Sequence, residues 1–369
     1  MSEAPYFSVL VPTKNRSHIV GFAVQSILNQ SFSDFEIILV DNDDTDATAE
    51  VIRTFADQRI KYCRTGGLNM CQNWQYALKM ASGRYITVLE DKQAYYPDAL
   101  KTMHRIFETI NTEVIVWHWD IYNDNVKLAH QASQKGEGQL VSSDLILEKY
   151  VRLKPDAWEM LPRMINSCAS AKLIRQIESH PNIDSFFALL SPDLCAAFYS
   201  LATVDQVYIL KQSLGLVGYF QLSNAFQSIR KNTQPFDFYG KGDYSHVIVD
   251  TVPIKETRLL HNSIYNDYLR SRKKLQGRLA NYEMTPHNYA RMCIKDLARI
   301  PGDVSAIRKA IYAYVDEYRI PRLPLIFLYF FSWCTRKLGE IAWLAGLRDR
   351  LKSSKWKAQN ILEATRRMA

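Results

Sequence analysis

The chain has 369 residues, of which 47% are hydrophobic and 23% charged, with a formal net charge of +8. That is the make-up of an ordinary soluble globular protein with room for one to three domains, and the lack of low-complexity tracts or a fixed-period repeat argues against a solenoid. Six scattered cysteines with no CxxC pair argue against a zinc site and for reduced thiols in a cytosolic protein. The opening MSEAPYFSVLVPTKNR lacks the basic-then-apolar pattern of a secretory signal.

Residues 7–11 (FSVLV) form an apolar run ended by Pro12 and predict a buried strand. Ser17 is a candidate cap for a helix on which Ile19, Phe22, Ala23, Ser26 and Ile27 recur at helical spacing. Residues 35–40 (FEIILV) predict a second strand. The polar turn 42–46 leads into a helix over 47–56, and residues 60–64 predict a third strand. A helix over 69–81, a strand over 85–89 (YITVL), a helix over 97–109 and an apolar strand over 114–120 (VIVWHWD) follow. Strands alternating with helices imply βαβ units, a mainly parallel sheet and an α/β fold.

In such sheets ligands bind beyond the carboxyl ends of the strands. Here those positions hold Pro12-Thr13-Lys14-Asn15-Arg16, Asp41-Asn42-Asp43-Asp44 and Glu90-Asp91-Lys92. Each loop alone is an unremarkable polar helix entry. Three that converge predict a polar ligand site.

The segments FSVLVPTKNR, QSILNQSFSDFEIILVDNDDTDAT and GLNMCQNWQYALKMASGRYITVLED, with YYPDAL after them, resemble in order and spacing the nucleotide-binding half of family 2 glycosyltransferases of the GT-A fold. The resemblance covers about residues 6–110 and continues more weakly through SPDLCAAF to about residue 230. It implies a GT-A domain over about residues 1–250, with a nucleotide-sugar half to about residue 110 and an acceptor half beyond, followed by a helical basic C-terminal region over 251–369. It also implies a nucleotide-diphosphate sugar donor, commonly a uridine one. Carried over residue by residue, the donor site comprises Pro12, Thr13, Asn15, Arg16, Asp41, Asn73, Arg84, Glu90, Asp91 and Lys92. Asp41 would accept hydrogen bonds from the base or ribose, since a fixed carboxylate selects N–H or O–H donors.

The family's fourth strand usually ends in an Asp-x-Asp cluster that holds Mg²⁺ or Mn²⁺ against the diphosphate. This chain reads Leu89-Glu90-Asp91-Lys92-Gln93, with only two adjacent acids and Lys92 where a second acid is expected. Three readings stay open: Asp91 anchors the metal with water and phosphate oxygens, Lys92 contacts the diphosphate itself, or the donor site no longer catalyses.

Asp193, in Ser191-Pro192-Asp193 before the apolar run 194–201, matches the family's general base for inverting transfer. Asp184 and Asp205 are its substitutes. Trp117 and Trp119 are candidate walls of the acceptor pocket because sugars stack on aromatic rings, and core packing is the competing reading; Ser223 and Asn224 resemble an acceptor-side polar pair. His118 reads as a hydrogen-bonded strand histidine.

Residues 253–369 carry 23 Lys+Arg against 10 Asp+Glu, a balance of +13 that leaves −5 for residues 1–252. Residues 323–333 (LPLIFLYFFSW) are apolar but shorter than the roughly 20 residues a spanning helix needs. Followed by Arg336, Lys337, Trp343, Arg348, Arg350, Lys352, Lys355, Trp356 and Lys357, they suit a helix lying in an anionic membrane interface, with a buried hairpin bearing a basic face as the alternative. Nucleic acid is not expected as a partner, since no signature of a nucleic-acid-binding fold is present. The expectation is an inverting glycosyltransferase acting on a glycan or lipid-linked glycan, cytoplasmic or peripheral on the inner face of the cell membrane. The alternative is a non-catalytic nucleotide-sugar-binding or scaffold protein. A dinucleotide oxidoreductase is disfavoured because no GxGxxG follows the first strand.

Overall fold

The computed structural model describes residues 4–131, 136–219, 249–340 and 355–368. The first half alternates β1 (Phe7–Thr13), α1 (Ser17–Leu28), β2 (Phe35–Asp41), α2 (Ala47–Arg53), β3 (Ile60–Arg64), α3 (Met70–Met80) and β4 (Tyr85–Val88). There follow β5 (Gln93–Tyr95), α4 (Ala99–Thr109), β6 (Val114–Asn123), β7 (Leu128–His130), β8 (Gln139–Ser142), α5 (Ser143–Val151), α6 (Ala157–Met160), β9 (Ser167–Ser170), α7 (Ala171–Glu178), α8 (Pro192–Thr203) and β10 (Gln206–Val217). Helices Leu260–Leu275, Pro286–Leu297, Ser305–Glu317 and Arg322–Glu340 come next, then β11 (Lys355–Lys357) and the helix Ile361–Met368.

All strands join one sheet, in the order β11-β7-β6-β9-β4-β1-β2-β3, with β10 pairing β5, β6 and β8. The β3-β2-β1-β4 half is parallel. Strand β9 runs against both β4 and β6, and β10 runs parallel to β6. The fold is α/β, with strands β1, β2, β3, β4, β6, β10 and β11 pointing one way.

Every residue of β1 and β2 is buried, as continuous apolar runs in a parallel sheet require. Because side chains alternate, Val9, Val11, Ile37 and Leu39 pack beneath α1 and α4, whereas Leu10, Ile38 and Val40 face α3, α8 and the later helices. Each fully buried Leu, Ile or Val contributes roughly 1.5–3 kcal/mol. Asn69 caps α3: its side chain accepts from the Gln72 N–H at 2.9 Å while the Gln72 side chain accepts from the Asn69 N–H at 3.1 Å. Ser17, expected as the cap of α1, is instead its first residue, preceded by Arg16 without a side-chain cap.

The C-terminal region is helical as expected, but it packs into the body of the fold. One hydrophobic cluster runs from Leu10 through Phe198 and Tyr268 to Leu325. Strand β11 extends the sheet against β7, and the helix Ile361–Met368 buries Ile361 and Ala364 in a cluster with Ala94, Tyr122 and Leu216. The helices of this extension share the core, and Lys355–Lys357 is part of the sheet.

The helix Arg322–Glu340 buries Leu325 and leaves Leu323, Ile326, Phe327, Phe330 and Phe331 between 48% and 69% exposed. Among the described residues no helix is long and apolar enough to cross a membrane.

Candidate active site

The carboxyl ends of β1, β2 and β4 meet. The Asn42 N–H donates to the Thr13 carbonyl at 3.0 Å and the Leu89 N–H to Leu10 at 2.9 Å, so the three loops leave the sheet side by side. Asn15 holds a left-handed φ of +54°, which aims its N–H at the Asp43 carboxylate and ties the loop after β1 to the loop after β2. The other Asp43 oxygen accepts from the Thr48 hydroxyl at 2.6 Å, at the first turn of α2. Pro12 is buried beneath this junction.

Asp41 lies wholly inside. One oxygen accepts from the Asp43 N–H at 2.9 Å and the other from the Tyr62 hydroxyl at 2.7 Å. Burial raises its pKa, against which these two bonds hold the charge. Asp41 thus shapes the turn first. A nucleotide would reach it only as a further donor to oxygens that retain spare lone pairs.

The segment after β4 is a turn, closed by the Gln93 N–H donating to the Glu90 carbonyl at 2.9 Å. Its two acids face different partners. Asp91, 2% exposed, accepts from Arg16 Nη1 at 2.8 Å on one oxygen and from the Thr13 hydroxyl at 2.9 Å on the other. Glu90 pairs with Lys92 Nζ at 3.0 Å. Gly218, just past the end of β10, donates its N–H to the Lys92 carbonyl at 2.9 Å and so pins the turn.

Across from this turn, Pro192 opens α8 and Asp193 occupies its first turn, half-buried. Burial pushes the Asp193 pKa up; Arg163 opposes this, Glu90 reinforces it, and Lys92 opposes it more weakly. The Leu194 N–H donates to Asp193, the usual service of a helix N-terminus to a carboxylate. The loop entering α8 is fixed from behind by Asp267, on helix 260–275, whose Oδ2 accepts from the N–H groups of Leu190 (3.0 Å) and Ser191 (2.9 Å).

Arg163 was not anticipated from sequence. It sits between α6 and β9, its guanidinium 4.7 Å from the Trp158 ring. Its Nε is buried without a hydrogen-bond partner. Burial lowers its pKa, while Asp193, Glu90 and Glu159 act on it through space and hold the charge. A charged residue inside the apolar sequence Leu161-Pro162-Arg163-Met164-Ile165 was the available signal.

Several expected site residues lie elsewhere. Arg84 precedes β4, at the opposite end of the sheet, and lies over the Tyr6 ring at 5.1 Å. Asn73 is a buried tie, accepting from the Thr65 hydroxyl at 2.6 Å and donating to the Val40 carbonyl at 3.4 Å. Trp117 is fully buried, edge-on to Tyr95 and Trp119, so it is core and no acceptor wall. Trp119 stacks on Tyr95 and donates its indole N–H to the Ile165 carbonyl at 2.9 Å, which also spends it on packing. In each case the core of a mixed sheet claimed an aromatic that sequence alone leaves ambiguous. Asp184 and Asp205 are surface acids paired with Lys274 and Arg278, away from the cluster around Asp193. His118 pairs with Glu159 at 3.3 Å. Ser223 and Asn224, like Trp343, Arg348, Arg350 and Lys352, lie outside the described residues.

The residues at the turn do not fit the divalent cation that the sequence resemblance implied. Both oxygens of Asp91 are engaged, one by a guanidinium that would stand beside the ion, and Glu90 is committed to Lys92. Among the described residues no group of three or more His, Cys, Asp or Glu side chains is placed to hold a metal. As folded, Asp91 is therefore committed to Arg16 and Thr13, and the turn offers Mg²⁺ or Mn²⁺ no ready set of oxygens.

Residues 8–177 match the family described as Glycosyl transferase family 2. The chain is 37% identical over 103 residues to the Campylobacter jejuni GalNAc(5)-diNAcBac-PP-undecaprenol beta-1,3-glucosyltransferase, covering 27% of this chain and 33% of that one. It is 27% identical over 121 residues to the Escherichia coli UDP-Glc:alpha-D-GlcNAc-diphosphoundecaprenol beta-1,3-glucosyltransferase WfgD, covering 32% and 47%. The matches thus span less than half of each of these relatives. Among solved structures, Staphylococcus aureus TarS 1–349 is similar at 14% identity and a TM-score of 0.46, over 90% of each chain.

Proposed function

Since residues 8–177 match Glycosyl transferase family 2, we propose that the protein transfers a sugar, with inversion, from a nucleotide-diphosphate donor to a hydroxyl of a glycan or lipid-linked glycan. The observation that carries this reading is the position of Asp193: a carboxylate at a helix start, its pKa raised by burial, facing the Glu90–Lys92 turn that ends β4. The acceptor oxygen attacks the anomeric carbon, its proton passes to Asp193, and the bond to the diphosphate breaks as the nucleoside diphosphate leaves. Holding both reactants in one cleft makes the step effectively unimolecular. Thr13, Asn15, Asp41 and their backbone border the nucleoside in this reading. A uridine donor is supported by the name of WfgD.

Two observations support an acceptor at a membrane surface. Both relatives act, by their names, on undecaprenol-linked sugars. The helix Arg322–Glu340 presents Leu323, Ile326, Phe327, Phe330 and Phe331 at spacings that place them on one exposed face, and the exposed Arg308 donates to Tyr329 of the same helix at 3.1 Å. In this reading residues 1–250 catalyse and the later helices dock the acceptor face to lipid.

The test is transfer from radiolabelled nucleotide sugars to undecaprenyl-diphosphate-linked acceptors, in wild type and Asp193→Asn. Transfer that vanishes in the variant while donor affinity persists is the expected result. Donor binding without transfer by the wild type over a broad acceptor panel would favour a binding or scaffold role.

A further inference from the structure

Building on the proposed nucleotide-sugar donor, we infer that Lys92 and Arg163 hold the donor diphosphate in the place a divalent cation occupies in metal-dependent transferases. The strongest sign is Arg163 itself. A guanidinium whose Nε is buried and unpartnered is costly unless an anion completes it, and the carboxylates around it act only through space. Two residues after Arg163, the Ile165 carbonyl accepts from the Gln93 side chain at 3.3 Å, which brings the Arg163 loop up to the turn that carries Lys92.

The pairing of the turn points the same way. Arg16 holds Asp91 and Lys92 holds Glu90, while Arg163 stands among Asp193, Glu90 and Glu159. A divalent cation binding at the turn would have to displace a cation from its carboxylate. A diphosphate arriving here meets two cations that can turn to it. Lys92 is only paired to Glu90, its neighbour in the same turn, and Arg163 offers a planar fork that suits phosphate oxygens. The same cations would steady the negative charge that grows on the leaving diphosphate as the sugar bond breaks.

The roles divide cleanly in this arrangement. Arg16 stays with Asp91 and keeps that acid from ligating an ion, so Asp91 serves to set the turn. Lys92 and Arg163 carry the diphosphate, and Asp193 is left to take the acceptor proton.

The experiment is calorimetric titration of the full chain with UDP, GDP, ADP, CDP and TDP, each in EDTA and again with Mn²⁺. The tightest ligand and its parent nucleoside are then titrated into Lys92→Met and Arg163→Met. Affinity within about 3-fold between EDTA and Mn²⁺ is expected, with a loss of about 10-fold or more for the diphosphate in each variant and little change for the nucleoside. Binding that requires Mn²⁺, or variants that bind the diphosphate like wild type, overturns the inference and leaves the donor reading standing. Failure of all five nucleotides in both conditions overturns the donor reading as well. If circular dichroism shows Arg163→Met to be unfolded, Arg163→Lys and Lys92→Met decide: the charge-keeping lysine should retain part of the affinity, and Lys92→Met should lose it.

Discussion

Asp267 receives the Ser191 N–H at 2.9 Å and so fixes the entry to the helix on which Asp193 sits two residues later. The same oxygen takes the Leu190 N–H, and the preceding Leu189 holds a left-handed φ of +62°. One buried carboxylate therefore sets the direction in which the candidate base leaves the loop.

This arrangement predicts a pH-dependent stability. Burial raises the Asp267 pKa to about 7, only partly offset by the Ser191 N–H and Arg270. The unfolded value is about 3.9, so between the two the folded state binds the proton more tightly. The Asp267 contribution is greatest below pH of about 4, falls as pH rises to about 7 and is level above that, by an amount on the order of 4 kcal/mol at most. Asp267→Asn keeps an acceptor oxygen without the charge. Its stability in urea titrations should lose this slope between pH of about 4 and about 7, whereas Asp267→Ala should lower kcat more than nucleotide affinity. An unchanged slope in the asparagine variant would remove Asp267 as its source.

Asp193→Asn should lower kcat by at least about 100-fold, the usual worth of a positioned base, with the fold intact. In the wild type the acid limb of kcat/KM should have its midpoint above the ordinary carboxylate range, because burial raises the Asp193 pKa. Arg163 holds that value down, so Arg163→Met should move the limb to still higher pH, and Lys92→Met should move it the same way by less. A shift to lower pH in either variant would contradict the geometry.

Arg16→Met should destabilise the fold by about 3 kcal/mol, because it leaves the 2% exposed Asp91 carboxylate with only the Thr13 hydroxyl. Adding Asp91→Asn should recover most of the loss. A double-mutant cycle by chemical denaturation measures the coupling, and independent effects of the two substitutions would argue against a structural pair.

The exposed face of helix 322–340 gives a fourth expectation. Phe327→Ser with Phe331→Ser should abolish co-sedimentation with phosphatidylglycerol vesicles and leave the melting temperature within a few degrees, since both rings are more than 60% exposed. Wild-type protein that ignores such vesicles would remove the membrane from the proposal.

The first four strands were legible because they are continuous apolar runs that stop at polar loops: residues 60–64 match β3 at both ends, and β1, β2 and β4 differ by a residue or two. The short strands β5, β7, β8, β9 and β11 have three or four residues each and no periodicity to read. Site residues divided in the same way. Thr13 and Asp41 end strands and Asp91 lies just past one, so topology finds them. Arg163 comes from a loop distant in sequence, and Asp267 hides among Ile264, Tyr265 and Tyr268 on a buried helix face, where only a carboxylate out of place in an apolar stripe could have announced it. Trp117 and Trp119 stay ambiguous in sequence because an aromatic strand reads alike whether it lines a pocket or a core.

The pairing of β11 with β7 joins Lys355–Lys357 to residues some 225 positions earlier. During synthesis, β7 must therefore wait with an open edge while most of the chain emerges from the ribosome, a slow and aggregation-prone interval for a sheet of this kind. Shortening the protein after helix 322–340 would make that interval permanent. It would strip a strand from the sheet and bare the apolar surface that Ile361 and Ala364 cover, so yield in the soluble fraction should fall well before any change at Asp193 is felt.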